Sequence, residues 1–477
     1  MPICVTLLLA FAVASGVAID PAACSAAGTC VSEIQDVLDA CDAPPAPSCS
    51  IILPPGIYVL DVTGVGTAAL LSAPSAPNVL LSANGVVFNL TGAAGVISVG
   101  ASSNFSIVGL TIDMQRSAYT LGSVLTANAT TALLSVDPAI YPFTATDVAA
   151  FPYLASASGA VGWDATCGCP SGSFDVGSKD APWPLTIAGA GIVSISPGAA
   201  LLPSLVPGTY VLLTHTRAYS VVRAAGTAGI HFTNVTVHAG AGIAFLTNNV
   251  SDAITLSGVA VVPSRGRAGS VTAGSTHFAN TRGARIELRD CSFRGAGDDG
   301  FNPASTYQEL ESIAADRRSA VVGAHGAPAS PVGSPSDSFT FFSRRSFATL
   351  GQVQAEAFPG GNRISFSMPL PASVAPLDLL QARCFGVGVS AFVTSDTPIG
   401  SLQSKDDSPA YVLVDNCTFG GNRARGGLFK ASNTLISNSR FSFTAMAAIQ
   451  VRTQSGGSAA KNRNSRFTTQ CASAGGP

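Results

Sequence analysis

Asn78-Val-Leu-Leu-Ser-Ala-Asn-Gly-Val-Val-Phe88 and Asn104-Phe-Ser-Ile-Val-Gly-Leu-Thr-Ile112 are two settings of one phrase: apolar residues in alternation, a bend at Asn or Gly, and a large apolar residue to close. The phrase returns as Ile230-His-Phe-Thr-Asn-Val-Thr-Val237, Ala253-Ile-Thr-Leu-Ser-Gly-Val-Ala-Val261 and Ala284-Arg-Ile-Glu-Leu-Arg-Asp-Cys-Ser-Phe293. Its last copies are Tyr411-Val-Leu-Val-Asp-Asn-Cys-Thr-Phe419 and Asn433-Thr-Leu-Ile-Ser-Asn-Ser-Arg-Phe441. Counted on the closing residue, Phe88 to Ile112 and Val237 to Val261 are 24 apart, and Phe419 to Phe441 is 22. One coil of a parallel β-helix needs that length: two or three short strands, each ended by a turn, with inward side chains stacking on the coils above and below. Leucine-rich repeats share the period but require a fixed Leu spacing and helical segments, which are missing. A β-sandwich lacks the recurring ending. The pattern therefore predicts an all-β chain, a right-handed parallel β-helix of the pectin-lyase-like kind.

Two long stretches, about 115–214 and 305–410, interrupt the repeat, and each is too long for a structureless loop. Both contain strand-like pieces, such as Ala132-Leu-Leu-Ser-Val136 and Arg363-Ile-Ser-Phe-Ser-Met368. The expected organisation is a signal peptide over 1–18, a cap and first coils over 19–114, and an inserted β module over 115–214. Central coils over 215–304, a second insertion over 305–410 and final coils over 411–477 follow. Helix is scarce. Ser32-Glu-Ile-Gln-Asp-Val-Leu-Asp-Ala40 places Ile34, Val37 and Leu38 on one face behind Ser32 as N-cap, and predicts a short helix plugging the N-terminal end of the solenoid.

The apolar run from Ile3 to Ile19, ending in Ala14-Ser-Gly-Val-Ala18, reads as a signal peptide cleaved near Ala18, and so as a secreted protein. No later run is long and apolar enough to span a membrane. Sequons at Asn89, Asn104, Asn128, Asn234, Asn249 and Asn416 agree with export. So do eleven cysteines, ten of them after Cys4 leaves with the signal, an even number that permits full pairing. Cys24, Cys30, Cys41 and Cys49 suit a disulfide-stapled cap. Cys167 and Cys169 are so close that separate partners are expected for each. Charged residues make up only 11% of the chain, against about 25% in ordinary soluble domains, and the net charge is −2. No basic stripe is available to neutralise phosphates, so nucleic acid is not an expected partner.

The densest polar chemistry lies in Arg289-Asp-Cys-Ser-Phe-Arg-Gly-Ala-Gly-Asp298-Asp299-Gly-Phe-Asn302. A glycosidase needs one carboxylic acid to protonate the leaving oxygen and one carboxylate to activate water or attack carbon. Two adjacent carboxylates raise one pKa by mutual repulsion. The plain alternative is a solvated Asp-Asp-Gly turn. One coil earlier lie Arg265, Arg267, His277 and Arg282, and one coil later Arg423 and Arg425, all candidates to bind sugar hydroxyls or a uronate.

At these residues the chain resembles the α-1,3-galactosidase family of β-helix glycosidases, glycoside hydrolase family 110, which includes enzymes that remove the terminal galactose of the blood-group B determinant. The resemblance rests on Thr272-Ala-Gly-Ser-Thr-His-Phe278 with Arg282-Gly283, on Asp290-Cys-Ser-Phe with Gly297-Asp-Asp-Gly-Phe-Asn302, on Asp415-Asn-Cys-Thr-Phe with Gly421-Asn-Arg-Ala-Arg-Gly426, and on Ala447-Ala-Ile-Gln-Val451. It implies hydrolysis with inversion at the anomeric carbon of a terminal α-linked galactose, with no metal or cofactor. Asp298 and Asp299 match the family's catalytic pair, and His277, Arg265, Arg282, Asn302, Arg423 and Arg425 are expected to bind substrate. The chain departs from the family at Gly274, where an Asp of the catalytic group usually stands, and no Asp or Glu follows Asp415.

Three classes remain open on the sequence: a glycoside hydrolase, a polyuronate-degrading enzyme of the same fold using basic residues in its groove, and a non-catalytic β-helix that binds carbohydrate or builds a surface. If the adjacent pair is too close for an acid and a base, a second carboxylate must come from elsewhere, with Glu287, Asp252, Glu309 and Glu311 as candidates.

Overall fold

Phe88, Ile112, Val237, Val261, Phe293, Phe419 and Phe441, the closing residues of the seven phrases, are register partners in one continuous column. The column runs through both interruptions: Ile112 pairs with Val237 across the first and Phe293 with Phe419 across the second. All seven are buried. The Phe419 ring stacks on Phe293 at 5.2 Å and on Phe441 at 4.5 Å between centroids. A second column of Val79, Phe105, Ile230, Ile254, Ile286 and Val412 and a third of Leu81, Ile107, Phe232, Leu256, Leu288, Val414 and Ile436 stand beside it.

This computed structural model describes residues 19–42, 48–62, 69–73, 78–100, 102–177, 182–197, 201–264, 266–279, 281, 284–304, 308–323, 338–342, 349–357, 359, 363–374, 379–383, 409–429, 434–451 and 466–469. The proposed signal segment, Arg265 and Arg282 lie outside them.

The coils form a right-handed parallel β-helix. One parallel sheet carries the columns. A second, six-stranded parallel sheet is built from Ala69–Ala73, Gly95–Val99, Val222–Ala225, Phe245–Asn248, Thr276–Ala279 and Pro303–Ala304. Its direction continues into Gly427–Phe429 and Ile449–Val451 through a bridge from Phe301 to Gly427. The bend after the first strand of each coil is left-handed at Gly85, Gly109, Asn234, Gly258, Asp290, Asn416 and Asn438, with φ between 49° and 77°. Only Gly, Asn and Asp take that conformation readily, which is why the phrase always breaks on one of them. Asn416 Nδ2 donates to Asp290 Oδ1 at 2.6 Å, so neighbouring bends also bond to each other.

Two helices, Pro21–Ala27 and Cys30–Asp39, cap the N-terminal end and bury Ile34 and Leu38. The second begins three residues before the expected start, with Thr29 rather than Ser32 at its N-cap. Ser32 lies inside the helix, its hydroxyl bonded back to the Thr29 carbonyl. Disulfides Cys24–Cys30 and Cys41–Cys49 staple the cap. Cys167 and Cys169 do not seek separate partners: they are bonded to each other with Cα atoms 5.3 Å apart, because Gly168 between them is left-handed and turns the chain back on itself. Cys291 and Cys417 are buried free thiols.

Between Ile112 and Val237 the chain builds an eight-stranded antiparallel sheet with its own apolar core, including Leu134, Tyr141, Val193 and Leu213. It also contains a short helix, Ala145–Ala150, closed by a Thr144–Asp147 capping box. The later stretch contains a closed six-stranded barrel, from Gln308–Ile313 to Leu379–Arg383.

Candidate functional site

Asp298 and Asp299 occupy the turn that follows strand Ser292–Arg294, and stacking fixes the glycines around them. A Cβ on Gly297 would lie 2.3 Å from the Tyr119 hydroxyl and 2.4 Å from the Thr272 carbonyl, and one on Gly300 would lie 2.6 Å from the Gly426 carbonyl. The Gly-rich spelling of this turn is thus a consequence of coil-to-coil contact as well as of turn chemistry.

The two carboxylates face different surroundings. The Asp299 side chain is 6% exposed and the Asp298 side chain 34%. Asp299 Oδ1 accepts from Arg425 Nη1 at 3.0 Å and from the Arg425 backbone N–H at 3.1 Å, and Oδ2 accepts from Asn302 Nδ2 at 3.4 Å. Burial pushes the Asp299 carboxyl above its ordinary range, the Asp298 charge adds to the push, and Arg425 offsets part of it. Asp298 is paired with Arg217, which enters three residues after the last strand of the first module, Tyr210–Thr214.

Below the turn lies Tyr119, fully buried, its hydroxyl donating to the Val271 carbonyl at 3.0 Å. Burial holds this phenol well above its usual range, so it acts as a fixed neutral donor. Arg217 and Tyr119 escaped the sequence reading. Their only signal was position, at the two ends of the inserted module where the chain leaves and rejoins the coils.

Arg425 reaches Asp299, and its Nε also donates to Gln450. Asn302 belongs to the same cluster. His277 stands one coil earlier in the Asn302 column, since Phe278 pairs with Pro303 and its N–H bonds to the Asn302 carbonyl. Arg423 turns away from the pair, its Nη1 3.2 Å from Asp175 on the module strand Cys169–Gly177. Arg267 is likewise taken by Asp113 at 2.6 Å and by the Met114 carbonyl. Glu287 sits on the other sheet between Arg285 and Arg289, so it supplies no second acid here. The side chains of Glu309 and Glu311 lie outside the described residues.

Gly274 stands directly before Asp299 in its column: the Ser275 N–H bonds to the Asp299 carbonyl at 3.0 Å, and a Cβ on Gly274 would lie 3.1 Å from that oxygen. No group of three or more His, Cys, Asp or Glu able to hold a metal occurs among the described residues.

No family model matches the chain. It is 25% identical over 272 residues to alpha-1,3-galactosidase A of Shewanella woodyi, an alignment covering 54% of this chain and 40% of that protein. The chain thus spans less than half the length of this relative. Similar solved structures include the A-modules of the mannuronan C-5 epimerases AlgE4 and AlgE6 of Azotobacter vinelandii. They share 11% and 12% identity, each with a TM-score of 0.32 and 88% of this chain covered, over 69% and 68% of theirs.

Proposed function

We propose that the chain is a secreted glycoside hydrolase that binds a glycan end at Asp298 and Asp299 and releases terminal α-linked galactose. The observation that carries this reading is the unlike setting of two adjacent carboxylates. Asp299 is buried with its carboxyl pushed above the ordinary range, the direction a general acid needs, while Asp298 is half-buried beside Arg217. In this reading Asp299 protonates the departing glycosidic oxygen, and Asp298 takes the proton of the attacking water. Arg217, Arg425 and Asn302 position the two acids, and Tyr119 supports the turn from below. The similarity to a protein named alpha-1,3-galactosidase supports the choice of sugar. The three disulfides support an oxidising compartment.

A second reading has its own support. Asp299 is held by both Arg425 and Asn302, and its column neighbour is the side-chain-free Gly274, an arrangement suited to binding a sugar without turning it over. The polyuronate reading loses ground, because Arg267, Arg423 and Arg425 are each occupied by a carboxylate of this chain.

The test is hydrolysis of a panel of terminal α-galactosides by the purified protein, with and without chelator, beside Asp298→Asn and Asp299→Asn. Galactose release that chelator leaves unchanged and either variant lowers by about 100-fold or more supports the hydrolase. Sugar binding without release, in a folded protein, supports the second reading.

A further inference from the structure

Six sequons punctuate the chain, and the structure treats them unequally. Asn416 spends its Nδ2 on Asp290 within the ladder of bends. Asn234 lies in the same ladder with its Oδ1 packed on the next coil, 2.4 Å from where a Gly258 Cβ would stand. Asn104 has a buried Oδ1, with Gly229 closing over it. Asn89 is half-buried in mid-strand between Val59 and Asp113, and Asn249 is half-buried in a left-handed turn.

Asn128 differs from all five. It sits at the hairpin between strands Tyr119–Ala127 and Ala132–Val136, in a run from Leu125 to Thr130 that is exposed throughout. Its Oδ1 accepts from the backbone N–H groups of Thr130 and Thr131, each at 2.9 Å, and from both threonine hydroxyls at 3.2 Å. The side-chain carbonyl therefore fixes the turn, while the Nδ2 carries no structural bond among the described residues.

A second observation lies beside it. Leu125, Val206 and Tyr210 are 42%, 55% and 42% exposed. They lie near one end of the paired strands Tyr119–Ala127 and Tyr210–Thr214, where the Gly208 N–H bonds to the Val124 carbonyl and Val124 N–H to the Thr209 carbonyl. Leu125 is three residues from Asn128, about 10 Å along an extended strand, a span that two sugar rings cover.

We propose that Asn128 is the N-glycan acceptor of this protein and that the glycan covers the Leu125–Val206–Tyr210 patch. The proposal rests on the secretion reading above. In the transfer, a lipid-linked oligosaccharyl diphosphate is the donor: the anomeric carbon forms a C–N bond to Nδ2, its bond to the diphosphate breaks, and the Nδ2 proton leaves with the lipid diphosphate.

To test it, the full chain is expressed in a eukaryotic secretory host, once with its own N-terminus and once behind the host's leader. The secreted protein is deglycosylated in heavy-oxygen water and its peptides are weighed. The expected result is label at Asn128, none at the other five sequons, and loss of one glycan's mass in Asn128→Gln. An unlabelled Asn128 in folded protein secreted behind the host leader overturns the acceptor. Binding of an apolar dye that is the same with and without the glycan overturns the shielding. Protein retained in the cell with its own N-terminus, yet labelled behind the host leader, sinks the secretion reading alone. The label is read whether or not galactose is released, so failure of the hydrolase reading leaves this result standing.

Discussion

The inner columns of the β-helix and the root of the first inserted module are both fully buried, yet they are held in opposite ways. The columns are stacked Phe, Ile, Val and Leu side chains with nothing to protonate. The root is polar. Arg116, 1% exposed, donates to the Pro142, Ser117 and Tyr119 carbonyls at 3.0, 2.7 and 2.7 Å, and to the Thr120 hydroxyl, without an ion pair among the described residues. Burial pulls its guanidinium down to about 10. The same Thr120 hydroxyl meets His215 Nε2 at 2.7 Å, and His215 Nδ1 faces the Ser156 carbonyl at 2.9 Å. A column tolerates any well-fitting apolar residue, whereas the root requires each partner in one protonation state.

The largest effect is expected in the column. Phe419→Ala removes a ring stacked on both sides and should cost about 3–5 kcal/mol through lost burial and an unfilled cavity. Denaturant midpoints should record the same loss at about pH 5 and about pH 7.5, because the rings it stacks on, Phe293 and Phe441, do not titrate. A loss that changes with pH would break the contrast.

A smaller effect, and one that depends on pH, belongs to the root. Burial pushes His215 down to about 3, from an ordinary 6.5. The folded state therefore holds it neutral. Its contribution is full above pH 6.5, where the unfolded chain is neutral too, and is lost as pH falls from 6.5 toward 3. At about pH 5 the loss should reach about 2 kcal/mol. His215→Gln should flatten that slope while lowering stability at neutral pH. An unchanged slope in the variant would move the acid sensitivity to another group.

The same contrast explains what could be read from the sequence. A column repeats once per coil, so Phe88 through Phe441 announced their own register, and stacked coils made Arg423 and Arg425 candidate neighbours of the Asp pair, of which Arg425 reaches Asp299 and Arg423 turns to Asp175. The root and the walls of the site repeat nowhere. Arg217 reaches Asp298 across 81 residues and Arg423 reaches Asp175 across 248, both through contacts made only when the module folds back on the coils. The Cys167–Cys169 bridge depended on the left-handed Gly168, which sequence spacing alone argued against.

Gly274 gives the smallest stability effect and the sharpest test of the site. Its missing side chain belongs to the Asp299 column, and a Cβ there would lie 3.1 Å from the Asp299 carbonyl, tight enough to require a shift of a few tenths of an ångström. Gly274→Ala should therefore cost about 1 kcal/mol, at the low end of overpacking. Gly274→Asp should cost more, because it adds a carboxylate at a buried position, and it places a third carboxylate beside Asp299, holding that acid's proton more tightly by like-charge repulsion. If Asp298 and Asp299 form a working but incomplete acid pair, galactose release should rise in Gly274→Asp, by up to about 100-fold, and stay at the parent rate in Gly274→Ala. A fall in both variants by the same factor would mean that the gap admits the sugar itself, and that Gly274 serves binding rather than marking a lost acid.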